Sequence, residues 1–474
     1  MKLYETIKNN KIYSIFIGII LFIGIFLRIH EYFQGRPFWL DECSLAINIF
    51  DYSNYFLPLK YDQAAPPLFM YFSKFLCVIM PIKAEYSLRI IPFISGLMTL
   101  PVFLLLINKI FSNKISKIFA FLLFATNYNL IHYCAEFKQY SSDILVFLSI
   151  ITAYIYFEKL TKKQNIICGC ILAILVWFSN ASVIAIGSIF TIAFIKQIKN
   201  KQILKTPFIP IIFVFISILI YLITYKSTIG NNILQEYWQN YFINTNFSNF
   251  PYIIKTNMEY FFKYDYILAT ILFFIGTILF TIQKNYLVII PLIFLAVLSY
   301  LNILPLYGRI ILFILPVLIL CITKILDNNK KIIYILCSFI IILHIVLPSF
   351  RYTLKRTVLH LEFYEDIVTP LNMASKIINK GDYLITDGNN RSSFNYYKRF
   401  YNFDSSHIKI LPAEKGKFIN AINNLPKGRY LYVFSHSEKR QDWLLMLSEL
   451  IDNFPKHRIY ADRNDNVLID FTIF

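Results

Sequence analysis

The sequence predicts an α-helical polytopic membrane protein of about 11 to 13 spanning helices with a small α/β domain at its C-terminal end. Three observations predict it. Of 474 residues, 57% are hydrophobic and only 16% charged, and the mean hydropathy is +0.55, far above that of a soluble chain. The apolar residues come in long runs separated by lysine-bearing breaks. Beyond residue 350 the runs stop, and short apolar strands and an amphipathic pattern replace them.

A span needs roughly 20 predominantly apolar residues. Runs of this kind lie at 12–29, 88–107, 118–131, 141–157, 166–178, 180–195, 206–225, 266–282, 286–301, 309–323 and 332–348. The first, KIYSIFIGIILFIGIFLRI, is longer than a signal-peptide core and is followed by no small-residue cleavage site, so it reads as an uncleaved helix.

The formal charge of +18 would suit a nucleic-acid partner, but its distribution points elsewhere. With Lys2, Lys8 and Lys11 in the cytoplasm, every later lysine cluster between spans (109–117, 159–163, 196–205, 284 and 324–331) falls on the same side. The N-terminus is therefore expected in the cytoplasm. Loops 30–87, 132–140 and 226–265, the turn 302–308 and the tail are expected on the outer face. Five of the seven cysteines lie in or beside apolar segments; Cys43 and Cys134 fall in two outer loops, and spacing alone does not demand a disulfide between them.

Ionisable residues at the ends of spans gather toward that outer face: Arg28, Arg89, Asp143, Arg309 and His344. Singly, each has an anchoring or structural explanation. Together they set charge at one depth, whereas a transporter places it near the midplane.

The outer loops add candidate site residues. FWLDE sets Asp41 and Glu42 behind a tryptophan just after the first span. In PLKYDQAAPPLFMYFSKFLCVIM, Pro66 and Pro67 suit a helix start, and the apolar run after them suits an amphipathic helix in the outer interface. IHYCAEFKQYSSD concentrates Glu136, Lys138, Tyr140 and Asp143 in one short turn, and YGRIILFILPVLIL brings Tyr307 and Arg309 to a span entrance, with Pro316 expected to kink the helix that follows.

The order FWLDE, PPLFMYF, EYSLRIIPFISGLMTLPVFLLL, HYCAEFKQYSSD and YGRIILFILPVLIL resembles the polyprenyl-phosphate-sugar-dependent glycosyltransferases of the GT-C superfamily over about residues 10–350. The nearest pattern is glycosyltransferase family 39, which includes protein O-mannosyltransferases and lipid A aminoarabinose transferases. The resemblance implies a GT-C fold over 1–350 and a separate extracytoplasmic domain over 351–474. It implies a hexosyl- or pentosyltransferase that moves sugar from a polyprenyl-phosphate donor to a glycan, lipid or protein acceptor at the outer face. The AT-rich residue usage adds a bacterial plasma membrane and an undecaprenyl carrier.

The resemblance also assigns roles. Asp41 is the expected general base, taking the acceptor hydroxyl's proton as it attacks the anomeric carbon. Neighbouring residues on a helix point about 100° apart, so Glu42 is expected as a hydrogen-bonding or metal-side partner. Arg309 is expected to grip the departing phosphate, with Tyr307, Lys60 and Lys138 beside it. Glu136 falls at the second acidic motif, which positions the donor or, with Asp41, holds a divalent cation. Glu-Phe-Lys stands there instead of paired acids, which leaves metal dependence open, with Asp41 and Glu136 as the ligands if a divalent cation binds. Phosphate leaves unaided, so one carboxylate suffices and direct displacement inverts the anomeric centre.

In the tail, GDYLITDG, GRYLYVFSHS and NVLIDFTIF read as strands and QDWLLMLSELIDNF as an amphipathic helix. The aromatic residues of DGNNRSSFNYYKRFYNF could stack on sugar or simply pack. No Gly-rich phosphate loop is present, which argues against a sugar-nucleotide donor. A flippase or polymerase of the same pathway would share the hydrophobicity but would not need the Asp41–Glu42 pair.

Overall fold

The computed structural model describes residues 11–156, 161–199, 212, 214–222, 232–327, 331–359, 365–435, 448, 450–454, 456–461 and 467–473. The chain divides into two compact units. One comprises residues 1–34, 54–58 and 64–360; the other comprises 35–53, 59–63 and 361–474.

The first unit is an assembly of apolar helices. Lys11–Phe33 shows why its residues form a membrane helix: Ile12, Phe16, Ile19, Phe22 and Phe26 make one exposed apolar stripe, while Ile17, Ile20, Gly24, Leu27 and Arg28 are buried on the other side. Lipid can solvate the first stripe and protein covers the second, so the helix is apolar all round. Among the described residues four helices are long and apolar enough to cross a membrane: Lys11–Phe33, Ala84–Ile110, Ala181–Lys199 and Ile335–Val358. Two bent pairs reach that length when each is joined, Lys114–Thr126 with Tyr128–Ala135 (50°) and Phe250–Phe262 with Tyr266–Ile282 (110°). Tyr140–Tyr156, Tyr286–Tyr300 and Leu312–Leu326 are apolar but shorter, as is Lys162–Phe178. The expected run 206–225 lies mostly outside the described residues.

These differences from a row of uniform spans have local causes. Asn127 ends one helix and starts the next, its side chain accepting from the backbone N–H of Asn129 and Leu130. Pro316 does not kink a span that begins at 309; it sits in the first turn of the helix Leu315–Thr323, where its missing N–H costs nothing. Arg309 accordingly lies in the turn before that helix. Gly276 permits a close approach of its helix to the Leu315–Thr323 helix, since a Cβ there would collide with the Cys321 carbonyl oxygen.

Arg28 is fully buried and does not reach for lipid headgroups. Its guanidinium donates to the Gly24 and Ala125 carbonyls, each at 2.9 Å, and so caps the C-terminal end of the helix Lys114–Thr126. His344 pairs with Asp265 at 3.1 Å, and Asp143 accepts from the Ser179 hydroxyl at 2.5 Å. None of the seven cysteines is in a disulfide, and Cys43 and Cys134, both buried, donate to the Phe38 and Ile131 carbonyls.

The second unit is built on a five-stranded sheet of order β2-β1-β3-β5-β4, with β1 Tyr383–Asp387, β2 Ile408–Leu411, β3 Gly428–Phe434, β4 His457–Ala461 and β5 Val467–Ile473. β1 runs parallel to β2 and β3, and β5 runs antiparallel to β3 and β4. β1, β3 and β5 match the strands expected from sequence; β2 and β4 are short and partly exposed and lack a readable pattern. The helix expected from 441 lies almost wholly outside the described residues. Ile385, Tyr430, Tyr432, Ile469 and Phe471 pack with Phe418 and Ile422 of the helix Lys415–Asn423 on one face. Their neighbours Leu384, Leu431, Val433 and Leu468 are buried as well, which explains why the strands read as continuous apolar runs.

The helix Leu40–Asp51, which carries the FWLDE acids, belongs to this unit. It packs on the tail helix Arg391–Tyr397, where Phe394, Tyr396 and Tyr397 are buried. Those aromatic side chains are packing, not an exposed sugar platform. The Tyr396 ring meets Phe38 at 5.5 Å and Phe50 at 6.1 Å.

Candidate functional site

In the helical unit the site begins with one turn of chain. The short helix Tyr128–His132 tightens into a 3-10 turn, Tyr133–Ala135, so His132 and Glu136 face one another at i, i+4 spacing. His132 Nε2 is 3.3 Å from Glu136 Oε2, and Nδ1 is 3.4 Å from Glu31 Oε1 at the end of the first span. The Tyr128 ring stacks on the imidazole at 5.2 Å, with its hydroxyl 3.2 Å from Nδ1. Glu31 also accepts from Gln34 Nε2 at 3.0 Å. Both carboxylates are buried.

Burial by itself would raise the Glu136 pKa. The hydrogen bond and charge of His132, with the nearby Arg309 and Lys138, outweigh burial and hold the carboxyl below its ordinary value. Glu136 therefore stays an anion in a place where an isolated carboxylate would take up a proton. Lys138 is itself buried.

Tyr133 joins this cluster to a cavity. Its hydroxyl meets that of Tyr260, and Tyr260 lines an opening of about 470 Å³ together with Thr256, Glu259, Lys263, Tyr307 and Tyr352. Gly308 makes room for the Tyr260 ring, since a Cβ there would fall 2.4 Å from its Cδ1. Tyr307 lies among aromatic rings, 5.0 Å from Trp238 and 4.6 Å from Tyr241, and the Arg309 guanidinium lies 5.9 Å from the Trp238 ring. The Lys263 ammonium stands over Tyr260 and Tyr352 at 5.4 and 5.5 Å, and the Arg356 guanidinium over Tyr352 and Tyr128 at 4.9 and 5.2 Å. Aromatic faces suited to a sugar ring thus adjoin cations suited to a phosphate.

In the sheet-containing unit, Asp41 and Glu42 occupy the first turn of Leu40–Asp51, where the helix dipole favours negative charge. Glu42 is buried and its Oε2 accepts from the Trp39 N–H at 3.4 Å; Asp41 is half-exposed. The Leu40 N–H donates to Glu365 Oε2 at 3.3 Å, and Ser393 donates to the other oxygen at 3.0 Å. Lys60 is exposed. Its backbone is tied to the same helix by a two-way bond with the Asn48 side chain, and its ammonium lies 4.8 Å from the Tyr52 ring.

Of the residues singled out in the sequence, Glu136, Lys138, Tyr307 and Arg309 come together in the helical unit. In the other unit Asp41 and Glu42 share the first turn of Leu40–Asp51, whereas Lys60 lies by the last turn of that helix, against Asn48 and Tyr52, and is not brought to the acids. Sequence reasoning missed Glu31, His132, Tyr260 and Lys263. The i, i+4 spacing of His132 and Glu136 was a usable signal; Glu31 and Tyr260 gave none, because only folding brings their segments to that turn. Among the described residues no three His, Cys, Asp or Glu side chains are grouped to hold a metal. The charged groups that act on Glu136 are the His132 imidazole, the Arg309 guanidinium and the Lys138 ammonium.

No protein-family model matches the chain, and no curated protein matches it in sequence. Among solved structures it is similar to ArnT from Cupriavidus metallidurans bound to undecaprenyl phosphate, at 10% identity over 96% of this chain and 97% of that one, with a TM-score of 0.52. The apo state of the same protein aligns at 10% identity over the same shares, with a TM-score of 0.48. The similarity runs over nearly the whole of both chains, and the chain has the fold of ArnT, as the resemblance to the GT-C superfamily implied.

Proposed function

We propose that this protein is a glycosyltransferase that moves a sugar from a polyprenyl-phosphate carrier to a cell-envelope glycan, lipid or protein. The observation that carries the reading is the end-to-end fold similarity to a protein crystallised with undecaprenyl phosphate. The cavity lined by tyrosines and Lys263 agrees with it in chemistry. Lysine asymmetry supports transfer at the outer face of a bacterial plasma membrane, with the N-terminus in the cytoplasm and the sheet domain outside.

In this reading Asp41 accepts the proton of the acceptor hydroxyl while that oxygen attacks the anomeric carbon. Glu42 holds the start of the Asp41 helix. The bond from the anomeric carbon to the phosphate oxygen breaks with inversion, and polyprenyl phosphate departs as an anion toward Arg309, with Tyr307, Lys60 and Lys138 as further donors. Glu136 orients the sugar.

The test is transfer from radiolabelled undecaprenyl-phosphate-linked sugars by the purified protein in lipid, with Asp41→Asn beside it. Transfer or slow hydrolysis of one donor, lost in the variant, is expected. Silence across the donors from a folded protein would overturn the reading in favour of a flippase or polymerase.

A further inference from the structure

His132 stands outside every role given above, yet its two ring nitrogens face two buried carboxylates, Glu31 at 3.4 Å and Glu136 at 3.3 Å. Nδ1 hydrogen-bonds with the Tyr128 hydroxyl at 3.2 Å, with Glu31 standing beside it at 3.4 Å. An imidazole engaged at Nδ1 by Tyr128, stacked on that ring and paired through Nε2 with Glu136 is held in one orientation, so the Glu136 oxygen facing it is fixed as well. The second oxygen of Glu136, Oε1, is buried and has no hydrogen-bond partner among the described residues. A buried carboxylate oxygen left in this way is costly until a donor arrives.

We propose that His132 is a positioning residue that locks the Glu136 carboxylate so that its Oε1 receives a hydroxyl or ammonium group of the transferred sugar. This rests on the sugar-transfer reading. The groups around the imidazole agree with it. Tyr128 and Tyr133 enclose the ring. Arg356 reaches the Tyr128 hydroxyl at 3.4 Å, which turns the phenol oxygen into an acceptor on that side. Arg309 and Lys138 act on Glu136 itself, so its charge does not depend on His132 alone. The distinct contribution of His132 is direction: it selects which carboxylate oxygen is engaged and which is presented.

The experiment uses the full-length protein in lipid nanodiscs and undecaprenyl-phosphate-linked glucose, galactose, mannose, N-acetylglucosamine and arabinose. His132→Phe keeps an aromatic ring against Tyr128 but removes both ring nitrogens; His132→Ala leaves a hole that added imidazole can fill. A misdirected group of this kind costs about 10²-fold in rate, so both variants should lose about that much kcat with donor KM little changed. Imidazole should restore His132→Ala and not His132→Phe. Adding His132→Ala to Glu136→Gln should cost nothing beyond Glu136→Gln alone. Wild-type turnover in His132→Phe, or additive losses in the double variant, would overturn the proposal. If the wild-type protein transfers none of the sugars, the transfer reading itself fails. The clamp is then judged by the ¹⁵N signals of labelled His132, which should move in both Glu31→Gln and Glu136→Gln; signals unmoved in both overturn it.

Discussion

The backbone N–H of Phe38 donates to the Tyr397 hydroxyl at 2.6 Å, across 359 residues of chain. With the Leu40–Glu365–Ser393 bridge, this bond fastens the start of the Asp41 helix to the C-terminal domain. The helix Leu40–Asp51 and the C-terminal segment therefore fold as parts of one compact unit. Tyr397→Phe keeps the ring but leaves a buried N–H without its acceptor, at a cost of about 1–3 kcal/mol. Hydrogen exchange should show residues 38–45 exchanging faster in that variant, with the core of the sheet unchanged; equal protection would mean that the bond does not hold the helix.

Asp41 and Glu42 are neighbours with separable effects. Asp41→Asn should abolish transfer while leaving expression and undecaprenyl phosphate binding intact. Glu42→Ala removes the acceptor that closes the first helical turn, and should cost about 1 kcal/mol of stability with a smaller loss of rate. Thermal unfolding and turnover of both variants separate the two, and normal turnover in Asp41→Asn would remove it as the base.

Arg309 sits between Trp238 and the Glu136 cluster. Loss of a charge-assisted hydrogen bond costs about 1.5–3 kcal/mol, so Arg309→Ala should weaken undecaprenyl phosphate binding about 10- to 100-fold. Arg309→Lys keeps the charge but not the fork, and should recover only part of that affinity. Unchanged affinity in Arg309→Ala, measured by calorimetry in nanodiscs, would take it out of the phosphate site.

Acid stability should report on Glu136. Its folded pKa lies below the ordinary 4.5, so the folded form binds its proton less readily than the unfolded one. The resulting stabilisation is fully present above pH 4.5 and is lost as pH falls from there through the folded value. Unfolding temperatures measured between pH 6 and pH 3 should fall less steeply in Glu136→Gln than in the wild type; parallel curves would show that the carboxylate is not held as described.

In the sheet domain, Arg429 reaches both oxygens of Asp470, at 2.9 and 2.8 Å, and Asp382 at 2.9 Å. The hydrogen bond to Asp470 is the largest of the effects that raise its already high pKa. A single guanidinium so links β3, β5 and the turn before β1. Arg429→Met should destabilise the sheet by about 2–3 kcal/mol, because it breaks a paired, partly buried charge network. Faster exchange along 428–434 is the expected readout.

What the sequence determined by itself is what repeats along the chain. Apolar runs announce membrane helices because a bilayer demands length and hydrophobicity in one stretch, and lysine placement sorts the loops between them. β1, β3 and β5 are legible for a related reason: strands buried on both faces are uniformly apolar. Asp41, Glu136 and Arg309 stood out because charged residues beside spans are scarce. Tertiary structure alone decided their surroundings. Nothing near Arg28 announces that it caps a distant helix, and nothing near Glu31 announces His132, since each contact depends on how separate segments pack. The aromatic tail segment shows the same limit: Phe394, Tyr396 and Tyr397 have the composition of a sugar platform, and burial against Leu40–Asp51 makes them core. Residue type states what a side chain is able to do, while packing chooses its partner, and that choice is a long-range property that local sequence does not contain.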